Sequence, residues 1–124
     1  MYSCDWDLVL VAERISPLPA ESSLTNEARI LVGSISLKVR RSASTVTGEL
    51  CHMFVNPTER RCGLARTLLR EVVKTASALG VRKLHLSTLS AMAEARQLYV
   101  SEGFRVVKEE CCRGAQLVHM SADI

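Results

Sequence analysis

The sequence predicts a mixed α/β chain of the α+β class, with about six strands in one mixed sheet and two main helices. Three observations carry this. Apolar residues alternate, or run together, in six short stretches. They recur at helical period in two others, each followed by a glycine, Gly80 and Gly103. The first helical stretch lies between two strand-like ones, an order that usually makes the flanking strands parallel.

Residues 7–13 read as the first strand. Leu8, Val9, Leu10 and Val11 form a continuous apolar run, which suits a strand buried on both faces. Residues 16–26, with Pro17, Pro19 and several Ser and Thr, read as a loop. Residues 28–39 form the second strand, and Gly33 near its middle predicts a bulge or a register change. The polar, basic residues 40–45 read as a turn, so the second and third strands are expected to be antiparallel neighbours. The third strand covers residues 47–55. Simple alternation puts Glu49, Cys51, Met53 and Val55 on one face and Leu50, His52 and Phe54 on the other. Asn56-Pro57 stops it, because proline lacks the N–H a ladder needs.

The strongest helical pattern is residues 64–79, with Leu64, Leu68, Val72, Ala76 and Leu79 on one face, joined by Ala65, Leu69 and Val73. Residues 83–89 form the fourth strand. A second helix is expected over residues 91–102, with Ser90 as N-cap and Glu94 near the positive end of its dipole. Residues 105–111 and 116–121 close the chain as two strands linked through Arg113-Gly114.

At 124 residues the chain has the length of one domain, and 48% hydrophobic with 23% charged residues is an ordinary globular composition. The net charge of +3 is too small to argue for nucleic acid, and two Tyr, two Phe and one Trp offer little to stack bases. Five cysteines without a Cys-x-x-Cys pair read as free thiols rather than a zinc site or a disulfide framework. His52, His85 and His119 lie on different predicted strands and receive no metal role. The longest aliphatic run, residues 8–12, is far short of the roughly 20 residues that span a bilayer. The first seven residues carry two acids and no basic region, unlike a signal peptide. The expected compartment is cytoplasmic or nuclear.

Chemistry concentrates in residues 55–65, which join a strand to a helix N-terminus. The first amides of a helix have no partner inside it, and together with the dipole they make an anion site. Gly63 accepts unusual dihedrals and Ala65 is small, while Arg60 and Arg61 add positive charge. The physical expectation is a diphosphate held by main-chain N–H groups from Arg60 to Ala65, a set that includes Cys62, Gly63 and Leu64. Neither Gly-x-x-x-x-Gly-Lys-Ser/Thr nor Gly-x-Gly-x-x-Gly occurs.

Arg60-Arg61-Cys62-Gly63-Leu64-Ala65 resembles the Arg/Gln-x-x-Gly-x-Gly/Ala signature of the GNAT superfamily of N-acetyltransferases. Leu98-Tyr99 followed by Gly103-Phe104 resembles that superfamily's second hallmark. The resemblance covers nearly the whole chain, and the text from Leu69 to Phe104 is most similar to the camello-like branch. It implies the acyl-CoA N-acyltransferase fold, without the strand and two helices that usually come first. Those helices form one wall of the acceptor site, and camello-like proteins also carry a membrane segment near there. Membrane association therefore enters by resemblance alone.

The resemblance further implies acetyl-CoA as cosubstrate, no metal, and direct attack of an amine on the thioester in a ternary complex. The amine would belong to a protein lysine, a protein N-terminus or a small molecule. Main-chain groups of Met53, Phe54 and Val55 would bind the pantetheine arm like an added strand, which requires the third and fourth strands to splay apart. Tyr99 is the implied general acid for the departing thiolate, and Glu49 the implied general base, sharing a face with Val55 by strand parity. Met92 stands where some members place a pantetheine-binding asparagine. The competing expectations are an acyl-CoA-binding module that catalyses little and, more remotely, a basic nucleic-acid module.

Overall fold

The computed structural model describes residues 7–17, 27–60 and 63–124. Six strands and two α-helices follow one another: β1 Leu8–Pro17, β2 Glu27–Arg41, β3 Val46–Val55, α1 Leu64–Ala78, β4 Lys83–Leu89, α2 Ala93–Ser101, β5 Arg105–Cys112 and β6 Ala115–Asp123. A 3₁₀ turn, Pro57–Glu59, precedes α1. The strands form one sheet in the order β1-β2-β3-β4-β6-β5. Every neighbouring pair is antiparallel except β3 and β4, whose crossover through α1 makes them parallel, as expected of strand–helix–strand. The predicted loop over residues 16–26 lies largely outside the described residues.

One face of the sheet carries the core. Ile35 and Leu37 of β2, Leu50 of β3, Leu84 and Leu86 of β4 and Val118, Met120 and Ala122 of β6 are buried against Leu68, Leu69, Val72 and Ala76 of α1. Full burial of each larger aliphatic side chain contributes about 1.5–3 kcal/mol. Gly33 lets α1 approach, since a Cβ there would lie 3.0 Å from both Leu68 Cδ1 and the Phe54 carbonyl. The predicted register change falls beside it, where Ala12 pairs with Gly33 and Glu13 with Leu31. Arg113 and Gly114, with φ of 51° and 79°, make the two-residue turn of the β5–β6 hairpin.

Several expectations need correction. β1 is not buried on both faces: it is an edge strand, and Val9 and Val11 are more than half exposed because helices cover only the other side. Leu79 lies outside the apolar stripe of α1 as its exposed C-cap. Ser90 is not the N-cap of α2. That position falls to Met92, and the Ser90 amide instead donates to the Gln116 carbonyl of β6 at 2.9 Å.

Simple alternation also fails in β3. Ser36 pairs with Cys51 and Ser34 with Phe54, so β3 spends one extra residue there, and His52 takes a positive φ of 53°. The bulge exchanges the faces. A Cβ on Gly48 would meet Leu84, Leu37 and Val81 of the core, so Glu49 points to the opposite, open face. Val55 pairs with Gly33, which faces Leu64 and Leu68 of α1. Glu49 and Val55 therefore lie on opposite faces, contrary to strand parity.

Candidate active site

β3 and β4 pair at only three positions: Thr47 with Lys83, Gly48 with Leu84 and Glu49 with His85. Beyond His85, β4 stays with β6 as far as Leu89 opposite Leu117, while β3 stays with β2 as far as Val55 opposite Gly33. The sheet therefore opens between its two central strands. Separation begins well before Asn56-Pro57, because the bulge at His52 turns β3 away first. Among the described residues, no strand pairs with the edge of β3 that faces the gap, so its main chain can accept an extended ligand arm.

A cavity of about 310 Å³ fills this gap. Leu50, Cys51, His52 and Met53 line it from β3, Leu86, Ser87, Thr88 and Leu89 from β4, and Met92, Ala95 and Tyr99 from the α2 side. Tyr99 is only 8% exposed and stands edge-on to Phe104, with ring centroids 5.9 Å apart. Burial pushes its phenol above the usual range, and the nearby Cys51 thiol adds to the shift. The group holds its proton at neutral pH, and its residue lines the cavity.

The first residue of α1, Leu64, packs near Gly33, the partner of Val55 at the end of β3. Gly63 is the N-cap of α1 with φ 82°, a left-handed conformation that favours glycine, and among the described residues no side-chain cap hydrogen bond is found there. The Thr67 amide donates to the Gly63 carbonyl at 3.0 Å, so the amides of Leu64, Ala65 and Arg66 precede the first intrahelical bond. Arg60 contributes differently from expectation. Its amide closes the 3₁₀ turn onto Pro57 at 3.4 Å, and its guanidinium Nε donates to the Val55 carbonyl at 3.4 Å. Only the side chain of Arg60 is thus placed to meet an anion. Arg61 and Cys62 lie outside the described residues. Phe54 is 46% exposed, while Val55, Leu64 and Ala65 are half-buried beside the core.

Two ion pairs tie the helices flanking the opening. Glu102, just past α2, accepts from Arg66 Nη1 at 3.1 Å and from Arg70 Nε at 2.8 Å, both on α1. Glu49 is half exposed and lies 3.4 Å from Arg40 Nη2. Tyr99 thus lines the opening from the helix side, while Glu49 stands at its base on the open face.

The open face also holds residues that the sequence did not single out. Ser87 Oγ lies 2.7 Å from His119 Nδ1, and His119 Nε2 lies 2.6 Å from Glu110 Oε1. No linear spacing reveals this set, because it depends on the β4–β6 and β6–β5 registers. Among the described residues no group of three or more His, Cys, Asp or Glu could hold a metal ion. Cys51, Cys111 and Cys112 are free thiols. No helix of the described residues is long and apolar enough to cross a membrane.

Residues 11–124 match the family model of the acetyltransferase (GNAT) domain. The chain belongs to the GNAT acetyltransferase family. Comparison with curated proteins gives no match. Among solved structures, the fold is similar to that of an IAA acetyltransferase from Bacillus cereus, with 21% identity, a TM-score of 0.64, and coverage of 77% of this chain and 71% of that one. It is similar to Arabidopsis thaliana NAA60 in complex with a bisubstrate analogue, with 21% identity, a TM-score of 0.66, and coverage of 75% and 64%. It is also similar to Arabidopsis thaliana Naa50 in complex with the bisubstrate analogue CoA-Ac-MVNAL, with 18% identity, a TM-score of 0.69, and coverage of 77% and 67%. The chain thus spans about two-thirds of the length of these three proteins, and the matched fold is the mixed six-stranded sheet with two helices.

Proposed function

We propose that this GNAT domain transfers the acetyl group of acetyl-CoA to an amine by direct attack in a ternary complex. The observation that carries the reading is the opening between β3 and β4, lined by the buried Tyr99, with the N-terminus of α1 following the end of β3. The amides of Gly63, Leu64 and Ala65 bind the diphosphate, with the Arg60 side chain, Arg61 and the Cys62 amide completing the loop. The free edge of β3 at Phe54 and Val55 takes the pantetheine arm as an added strand. A main-chain N–H of that edge polarises the thioester carbonyl.

Tyr99 protonates the departing thiolate. Its raised pKa suits an acid that must stay protonated until the carbon–sulfur bond breaks. With acetyl-CoA held from the helix side, the amine approaches from the open face, where Glu49 is the β3 member of the last β3–β4 pair. Glu49 is the base candidate carried over from the family resemblance. The acceptor is a protein N-terminus, a protein lysine or a small amine. Placement within the camello-like branch rests on the text of Leu69 to Phe104 alone.

The test is thiol release from acetyl-CoA over a panel of peptide N-termini, lysine peptides and small amines, with calorimetry of acetyl-CoA alongside. Acetyl-CoA binding with amine-dependent turnover supports the reading. Binding without turnover above the Tyr99→Phe background assigns the chain to a CoA-binding module instead. No binding removes both.

A further inference from the structure

We propose that Ser87, His119 and Glu110 form a proton relay that takes the proton from the acceptor amine, an assignment that rests on the acetyltransferase reading. The three residues come from three adjacent strands. β4 pairs with β6 so that Ser87 stands directly opposite His119. On the other side of β6, Lys108 stands opposite His119 and Glu110 opposite Leu117. Val118 and Met120 are buried in the core, so alternation turns His119 to the open face, the face of Glu49. Of the three, only Ser87 is among the cavity-lining residues, and the relay therefore meets the amine at its hydroxyl.

The contacts fix the direction of proton flow. A hydrogen bond from His119, with the Lys108 ammonium 3.6 Å away, holds the Glu110 carboxyl below the usual carboxylate range, so it is ionised at neutral pH. A carboxylate only accepts hydrogen bonds, so His119 Nε2 carries the ring proton and donates it to Glu110. In the neutral ring that the relay requires, His119 Nδ1 is then the lone pair, and it accepts from Ser87 Oγ–H across the 2.7 Å contact. This is the order of acceptor, base and orienting carboxylate by which a hydroxyl is made able to receive a proton.

The step balances. The amine nitrogen bonds to the thioester carbonyl carbon and so carries one proton too many. That proton passes to Ser87 Oγ as the Ser87 hydroxyl proton passes to His119 Nδ1, leaving an imidazolium held by the Glu110 carboxylate. The carbon–sulfur bond then breaks, and the thiolate takes the Tyr99 proton. The imidazolium returns its proton to the phenolate through solvent. The products are the amide and CoA thiol, with the protein unchanged. Ser87 and Tyr99 line one cavity, Ser87 from the strand and Tyr99 from the helix, which separates the proton acceptor from the proton donor.

The experiment compares wild type with Ser87→Ala, His119→Gln, Glu110→Gln and Ser87→Thr, on whichever amine the wild type acetylates. Ser87→Ala and His119→Gln are expected to lower kcat by about 100-fold, within the range typical of one acid–base group, with KM for acetyl-CoA within about twofold. Ser87→Thr keeps the hydroxyl and restores most of the rate. Glu110 is exposed, so Glu110→Gln leaves the fold intact and reads the orienting carboxylate directly. Independently of turnover, nitrogen-15 spectra of the His119 ring are expected to show the Nε2–H tautomer in wild type and its loss in Glu110→Gln.

A wild type that turns over amines while Ser87→Ala and His119→Gln keep near-normal kcat overturns the relay alone. So does a Nδ1–H tautomer in wild type, or a rate abolished by Glu49→Gln but not by either relay variant. Acetyl found on Ser87 after incubation with acetyl-CoA alone replaces the relay by a covalent route. A wild type with no turnover on any amine removes the acetyltransferase reading and the relay together.

Discussion

Glu49 of β3 and His85 of β4 are the last two residues at which these parallel strands stand side by side. Everything assigned to the site follows from their position. Below them the sheet is continuous and packed; above them it opens, and the opening receives Tyr99 from one side and Ser87 from the other. The divergence is built into β3 by the extra residue near His52.

Gly48 sits one rung before the opening, and a Cβ there would lie 2.8 Å from Leu84 Cδ2 and 2.9 Å from Leu37 Cδ1. Gly48→Val is therefore expected to overpack the base of the cleft and destabilise the fold by about 1–3 kcal/mol, read as a lower urea midpoint.

Gly63 makes a different demand. A Cβ there would meet nothing within 4 Å, but the φ of 82° is costly for any other residue. Gly63→Ala is expected to cost about 1–2 kcal/mol of stability and to weaken acetyl-CoA binding by shifting the first amides of α1. Gly63→Glu adds a carboxylate where a diphosphate is proposed to sit, and calorimetry is expected to show acetyl-CoA binding lost. Unchanged affinity in Gly63→Glu removes this loop from the site.

Tyr99→Phe keeps the edge-on contact with Phe104 and removes only the hydroxyl. Its melting temperature is expected to stay close to wild type while kcat falls by about 100-fold or more. The raised Tyr99 pKa also fixes a sign. Between the ordinary phenol value of 10.0 and the higher folded value, the unfolded chain has lost a proton that the folded chain keeps. The contribution of Tyr99 to stability is thus complete below pH 10.0 and declines as pH rises through the folded pKa. Tyr99→Phe is expected to flatten the alkaline fall in a series of melts taken above that pH.

Glu102 joins α1 to α2 through Arg66 and Arg70. Arg70 is largely exposed and Arg66 partly so, so solvent screens the pairs, and Glu102→Gln is expected to cost only about 1 kcal/mol. Its more telling effect is on the spacing of the helices that flank the cleft, measured as a rise in KM for acetyl-CoA larger than the fall in kcat.

Much of this was legible in the sequence because it rests on local rules. The period of Leu64, Leu68, Val72 and Ala76 marked α1, glycines marked both helix ends, and two strands around one helix implied the parallel pair. The Gly63 loop and Tyr99 were visible as motif positions. What stayed hidden depended on register. The bulge at His52 carries no signature that alternation can read, so Glu49 was assigned to the face of Val55 when the two are opposed. Continuous apolarity in residues 8–11 suggested a central strand, whereas β1 lies at an edge with Val9 and Val11 exposed. Ser87, His119 and Glu110 meet only when β4, β6 and β5 are laid side by side.

The central claim is that the first amides of α1, with the free edge of β3, hold acetyl-CoA. Amide chemical-shift mapping during an acetyl-CoA titration measures this directly. Saturable binding is expected, with the largest shifts at Gly63, Leu64, Ala65, Phe54 and Val55. Binding that leaves those amides unmoved, or no saturable binding at all, contradicts the claim.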